Sequence, residues 1–286
     1  MTVKIITDSG ADLSKELLNQ YNIEIIPIRV YDNDTEYLDG VTLDPADLFQ
    51  GMREGKEYKT SLPSLDTIYD TFETYAKENI PCIYLAFSSG LSGTYQSSLL
   101  VKEQVKEQYP EFDIEIVDTK CASVGQGLVV LKAAEMAENN AEKEKILHHV
   151  RFWAEHMEHI FTVDDLQYLV RGGRVSRIAG FIGGLLNIKP ILHVESGKLM
   201  PIEKIRGRKK VLRRMVEIMG ERGQDISKQT IGISHGDDQE SADALKEMII
   251  ETFGCKVFVV NTIGAAIGAH AGPGTLAVFF LNELKN

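Results

Sequence analysis

The sequence predicts an α/β protein of two lobes, the first built on a mainly parallel sheet and the second on a mixed α+β sheet. Short apolar, strand-like runs alternate with helical patterns of roughly a dozen residues through the first half, as parallel strands joined by crossover helices require. In the second half a hairpin signature, Ser196-Gly197 between two short runs, breaks that alternation. The chain has 286 residues, 43% hydrophobic and 26% charged, enough apolar content for one large or two medium cores.

The first strand is the apolar run 3–7. Asp8-Ser9-Gly10 turns it into a helix where Leu13, Leu17 and Leu18 share a face and Asp12 or Ser14 caps the start. The run 23–30 reads as the next strand, with Pro27 marking an edge position or a strand end. A helix over 66–79, a buried strand over 82–87, a helix over 93–108, a strand over 113–117 and a helix over 123–139 follow. The charged helical segment 143–159 is a candidate link between lobes, and the boundary is placed near 155, dividing the chain into 1–155 and 156–286. Beyond it, 161–169 leads into a Gly- and Arg-rich stretch, and the runs 191–195 and 198–204 form the hairpin. An amphipathic helix spans 208–220, with Val211, Leu212, Met215, Val216 and Met219 on one side. Strands over 230–235 and 256–261 flank a helix over 240–253, and a Gly-rich loop at 263–275 precedes a last strand ending at 281. No internal repeat is visible.

The net charge of −11 argues against a protein that coats nucleic acid. The average hides an uneven distribution: from Arg171 to Arg214 twelve Lys or Arg face only Glu195 and Glu203, a local +10 that leaves −21 elsewhere. Cys82, Cys121 and Cys255 are scattered, odd in number and without metal-ligand spacing, as expected of buried thiols in a reducing compartment. The N-terminus lacks a signal-peptide pattern and no apolar run reaches the ~20 residues of a membrane span, so a cytoplasmic location is expected.

Ligands of open α/β sheets bind beyond the carboxyl ends of strands, where loops and helix starts present N–H groups. Four loops there concentrate Gly and hydroxyl residues. The richest, Ser88-Ser89-Gly90-Leu91-Ser92-Gly93-Thr94-Tyr95, suits a carboxylate or phosphate, or is simply a capped helix start with glycines for a tight turn. Thr60-Ser61-Leu62-Pro63-Ser64 is equally readable as a helix start capped by Ser64. The loop holding His270 and Gly272-Pro273-Gly274-Thr275, and the segment 171–177 with two glycines between Arg171 and Arg174, carry the remaining charged candidates. Walker A, Rossmann G-x-G-x-x-G, G-x-S-x-G and H-E-x-x-H patterns are all absent. His148, His149, His156 and His159 gather on the charged helix, but no carboxylate pattern completes a metal site, and a solvated face is the simpler expectation. The sequence offers groups for holding an anion and no evident machinery for transforming it.

In order along the chain, the segments 7–13 (TDSGADL), 60–64 (TSLPS), 88–95 (SSGLSGTY), 169–176 (LVRGGRVS), 189–192 (KPIL) and 270–275 (HAGPGT) resemble the motif series of the DegV family. The resemblance implies a non-catalytic protein, with no cofactor, that binds a long-chain fatty acid between its lobes. It further implies the role of the binding subunit of bacterial fatty acid kinase. There a separate FakA-like kinase subunit uses ATP to phosphorylate the bound carboxylate for phospholipid synthesis, with transient membrane contact and no nucleic acid involved. By position, Thr60 and Ser92 match the family's carboxylate-holding hydroxyls, with Ser61 and Gly93 beside them. Arg174 and His270 match the charged and polar groups around the head group, and Arg206, with its neighbours Arg208 and Lys209, matches a basic position that serves the kinase. Leu62 stands where the family usually has Gln, and Ala271 where Thr is common, departures that bear on head-group hydrogen bonding. The run Phe181, Ile182, Leu185, Leu186 and Ile188, with Gly183 and Gly184, is the candidate tunnel lining, although a buried helix explains it equally.

Two other function classes fit parts of the sequence. One is a stand-alone enzyme on a small acyl or phosphorylated substrate, with Ser92 as nucleophile and His270 as base. The other is an adaptor whose basic segment is its whole function.

Overall fold

The computed structural model describes residues 2–174 and 188–285. In the first lobe β1 (Lys4–Asp8), β2 (Glu24–Ile26), β6 (Cys82–Ala86) and β7 (Ile114–Asp118) form a wholly parallel sheet in the order β2-β1-β6-β7. All five residues of β6 are buried, which explains why this strand reads as an unbroken apolar run. Helices α3 (Leu65–Lys77) and α4 (Thr94–Gln108) cover one face, setting Ile68, Phe72, Val101 and Val105 against Ile6, Tyr84 and Ile116. Ser14 caps α1 (Lys15–Gln20) and Ser64 caps α3 through their side-chain oxygens. Asp12 does not cap α1; it sits buried at a left-handed φ of 48°.

The run 23–30 is not one strand. Pro27 lacks an N–H and ends β2, and the chain re-emerges as β3 (Arg29–Asp32) in a separate antiparallel sheet with β4 (Thr35–Leu38) and β5 (Tyr58–Ser61). Helix α2 (Pro45–Arg53) packs on this small sheet.

The second lobe is a six-stranded mixed sheet, ordered β10-β9-β8-β13-β11-β12, of β8 (Met157–Thr162), β9 (Ile188–Glu195), β10 (Lys198–Arg206), β11 (Thr230–His235), β12 (Val257–Thr262) and β13 (Leu276–Leu281). Only β11 and β12 run parallel, joined by α9 (Gln239–Phe253). The β9–β10 turn is the expected one, Ser196 and Gly197 both at positive φ, 50° and 77°. Helix α8 (Arg208–Arg222) buries Val211, Leu212, Met215, Val216 and Met219 beside α9 on the outer face.

Two expectations for the boundaries of elements fail. The helix starting at 143 is α6 (Lys143–His156), which stops three residues early because Met157 opens β8; it packs beside α5 rather than spanning the lobes. The Gly-rich loop contains a helix, α10 (Ala265–Ala271), whose small residues let it pack closely on α2 and β5.

The lobes share a core. Helix α5 (Val124–Glu138) is buried on almost every side because it lies between the two sheets, with Val124 and Leu128 in one apolar cluster with Ile83, Leu85, Ala277 and Phe279. The layers therefore run α3/α4, parallel sheet, α5, mixed sheet, α8/α9.

All three cysteines are buried and unpaired, and burial pushes the Cys82 thiol up to about 12. Among the described residues no helix is long and apolar enough to cross a membrane and no cluster of His, Cys, Asp or Glu is arranged to hold a metal ion.

Candidate functional site

A cavity of about 360 Å³ lies between the lobes. One wall is the inner face of the mixed sheet, where Leu199, Val194, Phe161, Ala277 and Ser234 come from five adjacent strands. At the usual strand spacing this wall is about 19 Å across. Ile263, Ala266 and Ile267, at and beside the start of α10, and Leu62, Phe87 and Leu91 close the other sides, so the cavity is predominantly apolar. Of the expected tunnel residues, 181–186 lie outside the described residues, and Ile188 opens β9 without lining this cavity.

Thr60, Ser61, Ser92, Arg174 and His270 all border this one space. Strand β5 presents Thr60 to α10, where Thr60 Oγ1 lies 2.6 Å from His270 Nε2. Burial first, and then the Arg174 charge, bring the His270 imidazole down to about 4, so the ring is neutral at pH 7. Its Nδ1 is buried without a partner among the described residues, against Gly172, where a Cβ would come within 2.0 Å of it. An orphaned N–H costs more than an orphaned lone pair, which places the ring proton on Nε2. His270 then donates to Thr60, and the Thr60 hydroxyl proton is left to donate to a ligand.

Ser92 lies in the loop between β6 and α4, and its Oγ pairs with Thr94 Oγ1 at 2.8 Å. Several bonds fix this loop. The buried Asp8 carboxylate accepts from Phe87 N–H at 2.8 Å, Asp118 accepts from Ser89 N–H at 3.1 Å, and Ser88 Oγ donates to Gly197 O in the second lobe at 2.7 Å. Asp8-Ser9-Gly10 is thus more than a turn: Asp8 holds the loop carrying Ser92, and burial raises its carboxyl to about 6. Gly93 is the N-cap position of α4, beside Leu62 and just off the cavity wall. Arg174 donates from Nε to Leu91 O at 3.2 Å and from Nη1 to Gly172 O, leaving Nη2 unpartnered among the described residues. Ser61 Oγ accepts from Arg29 at 3.3 Å and keeps its own proton to donate. Among the described residues, the rim therefore gathers hydroxyl donors and one guanidinium and contains no carboxylate.

Sequence reasoning missed a second polar cluster lining the cavity. Ser123, at φ 55°, bonds both the buried Asp12 carboxylate and Ser234 Oγ, the latter at 2.9 Å. Asp12 also accepts from Gly264 N–H at 2.9 Å, and Asp39 from Ala265 N–H at 2.7 Å, so two buried acids hold the start of the helix that ends in His270. His159, expected on a solvated helix face, is instead a buried β8 residue whose Nδ1–H donates to Met157 O and whose Nε2 accepts from Ala122 N–H.

The DegV family pattern matches residues 2–283. The chain belongs to the DegV family. A DegV domain-containing protein of Clostridium perfringens is 42% identical over 98% of each chain. A solved DegV family protein from Thermus thermophilus, described as fatty acid binding, superposes with a TM-score of 0.90 at 28% identity, covering 98% of this chain and 99% of its own. A stearic acid-binding protein from Eubacterium ventriosum gives 0.90 at 27% identity over the same shares. Within this DegV chain, Leu62 and Ala271 both border the cavity, so the two departures from the family's usual residues fall on its wall.

The basic segment is not uniform. Arg208 is held by Asp238 at 2.6 Å and by Asp164, and Arg214 by Glu203, Glu217 and Glu221. Arg208 thereby pins α8 to α9 and is less free to meet a partner than its neighbours. Arg206, Lys209, Lys210 and Arg213 are exposed and unpartnered among the described residues.

Proposed function

We propose that this DegV protein binds one long-chain fatty acid in the inter-lobe cavity and presents its carboxylate to an ATP-dependent kinase subunit for conversion to an acyl phosphate. The observation that carries this reading is an apolar cavity whose rim, among the described residues, offers hydroxyl donors and a guanidinium and no carboxylate. A carboxylate buried without partners is costly, and Thr60, Ser61, Ser92 and Arg174 supply hydrogen-bond donors for it. Each buried CH₂ contributes about 0.8 kcal/mol, so a C16–C18 tail offers roughly 12 kcal/mol before the costs of association are subtracted. The solved relatives described as binding fatty acid and stearic acid support the ligand class. The kinase step draws support from the exposed Arg206 and Lys209, a docking surface for an acidic partner.

A stand-alone enzyme needs Ser92 and His270 as a nucleophile–base pair. Ser92 Oγ is paired with Thr94 and His270 Nε2 with Thr60, which favours the carrier. Extraction and mass spectrometry of the purified protein test the reading, with about one C14–C18 fatty acid per chain expected. An empty protein that also fails to bind added oleate overturns it.

A further inference from the structure

A second cavity, of about 440 Å³, adjoins the first. Thr60, Arg174 and His270 border both spaces, forming the partition between them. The two sides differ in charge. Among the described residues, the inner cavity has Arg174 as its one Lys or Arg, whereas the outer one adds Lys56, Lys59 and Arg171 against the single acid Glu57. Lys59 is exposed and has no partner among the described residues. Lys56 is paired with the half-buried Asp32 at 3.2 Å, whereas Arg171 pairs with Glu57 in an exposed pair of the kind worth little and easily exchanged for a stronger anion. The Arg171 guanidinium lies over the Tyr168 ring, 4.9 Å from its centroid, which orients the fork at the mouth.

We propose that this outer cavity is the phosphoryl compartment of the site, in which Lys59, Arg171 and Arg174 hold the phosphate of the acyl phosphate while the acyl chain stays in the inner cavity. The proposal rests on the carrier reading and adds to it where the product's charge goes. A carboxylate held at the partition is reached from the cation-lined side. One of its oxygens attacks the γ-phosphorus of a nucleoside triphosphate brought by the partner. The new O–P bond forms as the bond to the β-phosphate oxygen breaks, and that oxygen leaves with the electron pair as the nucleoside diphosphate. No proton needs to move. The product carries more negative charge than the fatty acid, and each added charge-assisted contact strengthens its hold on the protein.

The test compares two ligands of equal chain length on the full protein, a fatty acid and a 2-oxoalkylphosphonate, in which a methylene replaces the bridging oxygen of an acyl phosphate. Wild type should bind the phosphonate at least as tightly as the acid. The Lys59→Ala/Arg171→Ala double variant should keep its fatty acid affinity within about twofold and lose about tenfold or more for the phosphonate, the loss expected from charged hydrogen bonds. Both residues are exposed, so the fold should survive. Equal weakening of both ligands, no weakening of either, or wild type that takes the acid and refuses the phosphonate overturns the proposal alone. Wild type that binds neither ligand overturns the carrier reading and the proposal with it.

Discussion

The cavity has two polar clusters, and they differ in how completely their atoms are satisfied. In the Asp12–Ser123–Ser234 cluster, with His159 beside it, every side-chain oxygen and ring nitrogen has a protein partner. Ser123 even holds a left-handed backbone, a strain of order 1–3 kcal/mol that surrounding bonds must offset. At the Thr60–Ser92–Arg174–His270 rim, hydroxyl protons and one Arg nitrogen are left over among the described residues. Buried polar groups are nearly always paired, so a satisfied cluster is a staple and an unsatisfied one awaits something else.

The largest effect that follows is on stability. Asp12→Ala takes the acceptor from Gly264 N–H and the carboxylate partner from Ser123, and removes a side-chain link from the turn after β1 to the start of α10. Urea unfolding should show a loss of about 2–3 kcal/mol, the range for hydrogen bonds to a carboxylate. A change below about 1 kcal/mol would show that this cluster is not a staple.

At the rim the order reverses. Arg174→Ala should weaken fatty acid binding about tenfold to a hundredfold, and Thr60→Val several-fold, while each shifts the unfolding midpoint little. Titration with a fluorescent fatty acid alongside urea unfolding separates the two quantities. Rim variants that lower stability as much as Asp12→Ala while leaving affinity intact would erase the contrast.

The surface repeats the contrast at smaller scale. Arg208, tied to Asp164 and Asp238, should cost about 1 kcal/mol when changed to Ala, whereas Arg206→Ala and Lys209→Ala should cost nothing measurable. On the carrier reading, phosphorylation of the bound acid by the proposed kinase partner should respond in the opposite order, falling with Arg206 and Lys209 and less with Arg208. A uniform response across all three would mean that pairing does not decide which cation docks.

The rim residues were legible in the sequence and the staple was not, for a physical reason. Hydroxyl and Gly residues crowd at strand ends in 60–64 and 88–95, so the rim announces itself locally. Asp12, Ser123 and Ser234 are far apart in sequence, each unremarkable in its own segment, and only the packing of α5 between two sheets brings them together. The same holds for His159. Its spacing from His156 suits a helix face, but Met157 begins a strand and turns the ring inward. The parallel sheet, the hairpin and most helices follow from periodicity. The small antiparallel sheet does not, because Pro27 joins two strands of different sheets into one apolar run, and Tyr58–Ser61 is too short and polar to stand out. Helix α10 hides behind its glycine and alanine content, which reads as loop until α2 and β5 are there to pack against.

The finest test sets His159 and His270 against each other. Burial brings both His159 and His270 down to about 4, so in the free protein neither ring should titrate between pH 8 and 5.5. Depressed bases of this kind cost stability as pH falls from 6.5, where the unfolded ring protonates, toward 4. Asp8 and Asp39 act in the opposite sense: their folded values near 6 lie above the unfolded 3.8, so their contribution to stability grows as pH falls from 6 to 3.8. The opposed terms make global stability a poor readout, and the ring resonances themselves are the measurement. A fatty acid carboxylate arriving at the rim should move the His270 midpoint upward, because a nearby anion favours the imidazolium. His159, with both nitrogens engaged by Met157 and Ala122, should stay where it is. If His159 moves with His270, or His270 stays fixed when ligand is bound, the carboxylate does not sit at the Thr60–His270 rim.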